Sequence, residues 1–131
     1  MPAPRILIVE DEIFVAMDIE RVLADAGYHV AAIAADSSEA LAAAAEADLA
    51  FVDLNLRDGP TGPELAREMA RKYGTKIVYV TANPGQIEPL AETAVGYIRK
   101  PFRDSAILSA VAVATIDPSL PIDPDLTLFK G

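Results

Sequence analysis

Apolar runs of strand length recur along the chain at 5–10, 29–34, 49–54, 76–81 and 95–99, with helix-period segments between most of them. The cores of three runs, Ile6 to Val9, Ala50 to Val52 and Ile77 to Val80, contain no polar residue. A strand covered on both faces reads this way, whereas a strand with one wet face alternates. Strand and helix in alternation predict a parallel sheet wrapped by helices.

The intervening segments differ in quality. Val15, Ile19, Val22 and Ala26 form an apolar stripe at helical spacing, and Gly27 is suited to closing that helix in a left-handed conformation. Residues 37–46 are alanine-rich, which favours a helix by propensity but offers few large side chains to pack. A third helix should start at Gly62-Pro63, where proline has no helical hydrogen bond to lose, and run to about Tyr73 before Gly74. Pro84 and Pro89 leave only 85–93 for a fourth helix and put its regularity in doubt. The last helix, 104–116, can be capped by Asp104 and is stopped by Pro118.

Five such units joined by right-handed crossovers give an α/β, doubly wound, five-stranded parallel sheet with helices on both faces, for which 2-1-3-4-5 is one common strand order. Ligands in such sheets bind beyond the carboxyl ends of the strands, near the point where strand order reverses.

At 131 residues, the chain has room for one domain, expected over 1–116, followed by a proline-rich tail at 117–131. Twenty acidic residues against eleven basic ones, a formal charge of −9, oppose contact with nucleic-acid phosphates or anionic lipid. With no cysteine and one histidine, His29, thiolate sites and histidine metal clusters are excluded. The apolar run near the start is far too short for a signal peptide or a membrane span. These features lead to the expectation of a soluble, cytoplasmic protein with no nucleic-acid or membrane partner.

The chemistry gathers at the strand ends. The first strand leads to Glu10-Asp11-Glu12, the third to Asp53, the fourth to Thr81 and the fifth to Lys100-Pro101. Carboxylates crowded in a cleft repel one another, and a divalent cation removes the conflict. Mg²⁺ suits the inventory: it takes oxygen ligands, keeps waters and is held by one or two carboxylates with a substrate phosphate. A carboxylate can attack a phosphoryl donor to form an acyl phosphate while the metal and a lysine neutralise the transferring oxygens.

In order and placement, V-E-D-E at 9–12, V-D-L-N at 52–55, T-A at 81–82 and G-Y-I-R-K-P-F at 96–102 resemble the CheY-like receiver domains of two-component response regulators over about residues 5–116. The resemblance implies that Asp53 is the phosphoacceptor and that Asp11 binds Mg²⁺ directly. Glu10 would bind it directly or through water, with the main-chain carbonyl of Asn55 completing the protein ligands. It further implies that Lys100 and Thr81 contact phosphoryl oxygens, that Ala82 leaves the group accessible, that Tyr97 is the switch aromatic, and that the Lys100-Pro101 bond is cis. Phosphoryl transfer would come from a histidine kinase or histidine phosphotransfer protein, and with no sequence left for a DNA-binding output domain, output would pass to another protein.

Glu12 is explained by a helix start and needs no metal. Phe14 lies off the core stripe, beside the acidic residues, so Ile13 and Phe14 are candidate docking residues for the phosphodonor. The last helix carries no charge from Ala106 to Ala114, so something should cover its remaining surface: either the tail, with Leu126, Leu128 and Phe129, or a second subunit in a homodimer.

Three other functions compete. A haloacid-dehalogenase-type phosphatase also uses an aspartyl nucleophile and Mg²⁺, but it requires a second acid where this chain has Asn55. A binding module that had lost phosphorylation would lack an acid, the acceptor or the lysine, and none is missing. A flavodoxin needs a hydroxyl- and glycine-rich phosphate loop where this chain has three acids.

Overall fold

A computed structural model describes residues 3–83, 85 and 94–129; of the expected fourth helix only Gly85 falls among them, and the rest of 85–93 lies outside the described residues. The elements are β1 (Arg5–Val9), α1 (Ile13–Asp25), β2 (His29–Ala34), α2 (Ser37–Ala44), β3 (Leu49–Val52), α3 (Gly62–Tyr73), β4 (Lys76–Thr81), β5 (Gly96–Arg99), α4 (Asp104–Thr115) and β6 (Leu126–Leu128). The sheet order is β2-β1-β3-β4-β5-β6. The first five strands run parallel in the expected order, and β6 joins antiparallel to β5. Among the described residues no helix is long and apolar enough to cross a membrane.

The unbroken apolar strands serve two cores at once, because successive side chains point to opposite faces. Ile6, Ile8, Phe51, Val78 and Val80 pack with Ile19 and Leu23 of α1 and Ile107 and Val111 of α4. Leu7, Val9, Ala50, Val52, Ile77 and Tyr79 pack on the other face with Ala40, Leu65 and Met69 of α2 and α3. Small Ala40 and Ala44 let α2 lie close to the sheet, so the alanine-rich helix is anchored through size.

Three expectations about local structure need correction. The buried stripe of α1 is Ala16, Ile19, Val22 and Leu23, with Val15 only partly buried and Ala26 exposed, because the helix ends at Asp25. Gly27 does take a left-handed φ of 87°, two residues beyond that end. Asp104 does not cap α4: Arg103 is the N-cap, and the Asp104 carboxylate instead meets Arg21 at 3.3 Å. The sheet has six strands rather than five, since the tail supplies β6. Leu126 and Leu128, two apart on one strand face, join the core beneath α4.

Candidate functional site

Glu10, Asp53 and Lys100 each sit one step past a strand, held by a backbone hydrogen bond to the neighbouring strand, and Asp11 follows Glu10. Glu10 N–H donates to Ala34 O (2.8 Å), Asp53 N–H to Val9 O (2.9 Å) and Lys100 N–H to Thr81 O (2.9 Å). The ladders thus continue one residue beyond the strands. Parallel register brings Val9 level with Val52, and therefore Glu10 level with Asp53.

The structure brings together Glu10, Asp11, Asp53 and Lys100. One carboxylate oxygen from each of the three acids lies within 4.8 Å of the others. Glu10 and Asp53 are buried, while Asp11 is exposed at the mouth. Lys100 Nζ donates to Asp53 Oδ2 at 3.1 Å and stands 2.6 Å from Glu10 Oε1, an ion pair lacking good hydrogen-bond angles. Burial pushes the Glu10 carboxyl up to about 7, the Lys100 ammonium pulls it back and the Asp53 charge adds to the rise. Burial by itself disfavours the Lys100 charge, but Glu10 and Asp53 reverse this and hold its pKa above the ordinary value. Lys100 is therefore a permanent cation between two carboxylates.

The loop after β3 is shaped by close backbone approach. A Cβ on Gly62 would lie 2.0 Å from Asp53 O and 2.8 Å from Leu54 Cα, so only glycine lets the start of α3 approach the Asp53 backbone this closely. Asp58 accepts from Thr61 Oγ1 at 2.6 Å, and Gly59 turns the chain with φ 113°. Asn55, two residues past Asp53, is exposed.

Thr81 is buried, and its Oγ1 accepts from Asn83 N–H at 3.0 Å, with Ala82 exposed beside it. Tyr97 is half-buried on β5, and the Lys100-Pro101 bond is cis. Ile13 and Phe14 are exposed at 58% and 83% at the start of α1, and Met17, one turn on, joins them. Three further features escaped the sequence reading. Glu12 Oε1 comes within 3.7 Å of Lys100 Nζ. The lysine also pairs with Glu10 as well as with Asp53. Finally, Phe129 of the tail sets its ring 5.8 Å from that of Tyr97. The alternation Leu126, Leu128 was the available signal for the strand that carries Phe129 there.

Glu10, Asp11 and Asp53 together present hard oxygen donors with one ammonium in direct contact among the described residues, which suits a divalent cation of the magnesium type. Comparison with known proteins agrees with the fold. A family model described as the response regulator receiver domain matches residues 6–112. The chain is 28% identical over 116 residues to the phyllosphere-induced regulator PhyR of Methylorubrum extorquens, which covers 86% of this chain and 43% of that protein. It is 34% identical over 117 residues to the transcriptional regulatory protein PdtaR of Mycobacterium tuberculosis, covering 84% of this chain and 56% of that protein. The chain thus spans about half the length of the curated relatives it matches.

Among solved structures, the receiver domain of Erythrobacter litoralis PhyR shares the fold with a TM-score of 0.80 over 94% of this chain and 98% of that one, at 24% identity. A CheY-like receiver domain protein from Methanospirillum hungatei JF-1 matches with a TM-score of 0.70 and 29% identity, over 82% and 89% of the two chains.

Proposed function

The chain belongs to the response regulator receiver family, and we propose that it is a phosphoacceptor taking a phosphoryl group from a phosphohistidine donor onto Asp53. The observation that carries this reading is Asp53 itself, buried, with its carboxylate 3.1 Å from a lysine and within 4.8 Å of two further acids. An Asp53 oxygen attacks phosphorus, the P–O bond forms as the donor's P–N bond breaks, and the imidazole leaves with its electron pair. Lys100 Nζ, already at Asp53 Oδ2, pairs with the oxygens that carry the transferred charge. Thr81 Oγ1, which accepts from Asn83 N–H, donates its hydroxyl proton to a phosphoryl oxygen, Ala82 leaves room for the group, and Tyr97 turns inward to fill the space that the threonine vacates. Glu10, Asp11, Asp53 and the Asn55 carbonyl would hold Mg²⁺, which when bound offsets the crowded negative charge and lets the anionic donor approach.

Ile13, Phe14 and Met17 form an apolar step beside this mouth, where a histidine kinase or histidine phosphotransfer protein could dock. In this reading Phe14→Ala slows transfer from a cognate donor while labelling by acetyl phosphate is unchanged. Equal loss with both donors would remove the docking role.

The decisive test is intact mass after incubation with acetyl phosphate and Mg²⁺. Wild type should gain one phosphoryl group, and Asp53→Ala none. A wild-type chain that gains nothing, or an Asp53→Ala variant that gains as much, would overturn the assignment. Catalytic turnover of small phosphomonoesters, rather than single labelling, would point to a phosphatase.

A further inference from the structure

The tail does more than cover apolar surface. Residues 126–128 add a strand to the outer edge of β5, and Phe129 N–H donates to Val95 O at 3.0 Å. Leu126 and Leu128 reach the α1/α4 side of the sheet, and Phe129 reaches the opposite side against Tyr97. A cleft of about 340 Å³ between them is lined by Tyr97, Lys100 and Pro101 from the site and by Pro124, Asp125 and Thr127 from the tail. Arg103, three residues after Lys100, pairs with Asp125 at 2.8 Å and Asp123 at 3.5 Å. The tail therefore touches the strand, the aromatic and the loop that lead directly to the phosphoryl-binding lysine.

The tail's attachment is strong enough to order it and short enough to break. It rests on a three-residue ladder, the Phe129 N–H bond to Val95 O, buried Leu126 with partly buried Leu128, one aromatic pair, an Asp123 N–H bond to Ser109 Oγ and ion pairs to an exposed arginine. Exposed ion pairs add little. Segments held by so few contacts open well below the cost of global unfolding. Tyr97 is the joint between the two ends: a ring that turns inward leaves Phe129 without its partner, and by linkage a docked Phe129 holds Tyr97 outward.

We propose that the tail is a releasable cover, and that the surface beneath it, the β5 edge with Tyr97, receives an extended partner strand when Asp53 is phosphorylated. The inference rests on the phosphoacceptor reading above. The chemistry of the partner is that of the segment it replaces without its aromatic anchor: a strand adding antiparallel to β5, with apolar residues at alternate positions. Gly96 marks this edge as a contact surface, since a Cβ there would stand 2.2 Å from Thr127 O.

Hydrogen exchange of the full chain, with and without acetyl phosphate and Mg²⁺, tests the proposal alongside binding of a dye-labelled peptide of residues 120–131. Phosphorylation should speed exchange at 126–129 and raise the affinity of the same peptide carrying Phe129→Leu roughly three- to tenfold, because the tail then competes without its aromatic pair while this peptide never had one. Phe129→Ala and Gly96→Ala should each speed tail exchange without any phosphate. The proposal is overturned if intact mass shows the phosphoryl group in place while tail exchange is unchanged, or if both variants exchange as wild type. No mass gain would take down the acceptor reading and the cover with it. A phosphorylated dimer that exchanges tails between copies and excludes the peptide would replace the partner strand by a second copy of this chain.

Discussion

Asp11 is the one acid of the site that carries charge without an ion-pair partner among the described residues, so removing that charge isolates the repulsion it feels. Its carboxylate oxygen lies within 4.8 Å of those of Glu10 and Asp53. Two unit charges at that distance repel by about 3.5 kcal/mol at an effective dielectric of 20 and by about 0.9 kcal/mol in bulk water. Asp11 is exposed, and Glu10, with its carboxyl near 7, carries only part of its charge at neutral pH, so the lower end of that range applies to each neighbour. Without divalent cations and at low salt, Asp11→Asn should therefore stabilise the fold by about 1–2 kcal/mol, or roughly 3–8 °C in Tm for a domain of this size. High salt should shrink the gap. Mg²⁺ should reverse the order near saturation: wild type gains about 2.7 kcal/mol at one hundred times its Kd, whereas the variant has lost a ligand and gains little. Thermal melts of both proteins in EDTA and in MgCl₂ measure all of this. A variant less stable than wild type in EDTA, or one with an equal magnesium response, would refute the view that these acids are held together at a cost that a cation relieves.

Three other outcomes follow from the same geometry. Glu10 titrates at about 7 in the fold against 4.5 in the unfolded chain, so the folded state binds more protons between those values. Without metal, stability should be highest below pH 4.5 as far as this group is concerned and fall by roughly 3 kcal/mol as pH rises through 7; chemical denaturation across pH should show that slope, and Glu10→Gln should flatten it. Gly62→Ala would drive a Cβ into the Asp53 carbonyl and should lower the urea midpoint by an amount matching about 2 kcal/mol or more; an unchanged midpoint would mean that the α3 start can back away freely. Phe51→Ala should cost about 3–5 kcal/mol in the same assay, because the ring is fully buried at the centre of the sheet, and a loss below 1 kcal/mol would show that the core collapses around it.

What could be read directly from the chain was set by short-range pattern. Three unbroken apolar runs required a sheet covered on both sides, and their spacing with helical segments required parallel strands. Parallel strands in turn send Glu10, Asp53, Thr81 and Lys100 to one edge. The proline and glycine positions at Gly27, Gly62-Pro63 and Gly74 marked helix ends, because those residues restrict or free a single φ whatever their surroundings.

What only the tertiary structure decided are relations between distant residues whose partners no local pattern names. Lys100 sits between Glu10 and Asp53 because two strand registers bring it there, and Glu10 titrates near 7 because of burial that no neighbour in sequence supplies. Asp104 turns from cap to ion-pair partner because α1 places Arg21 within reach. The tail becomes a strand only because β5 offers an unpaired edge, and Phe129 acquires a partner only because that register places it against Tyr97. Backbone preference and side-chain polarity are written residue by residue, whereas pairing, burial and electrostatic environment arise when the chain closes on itself.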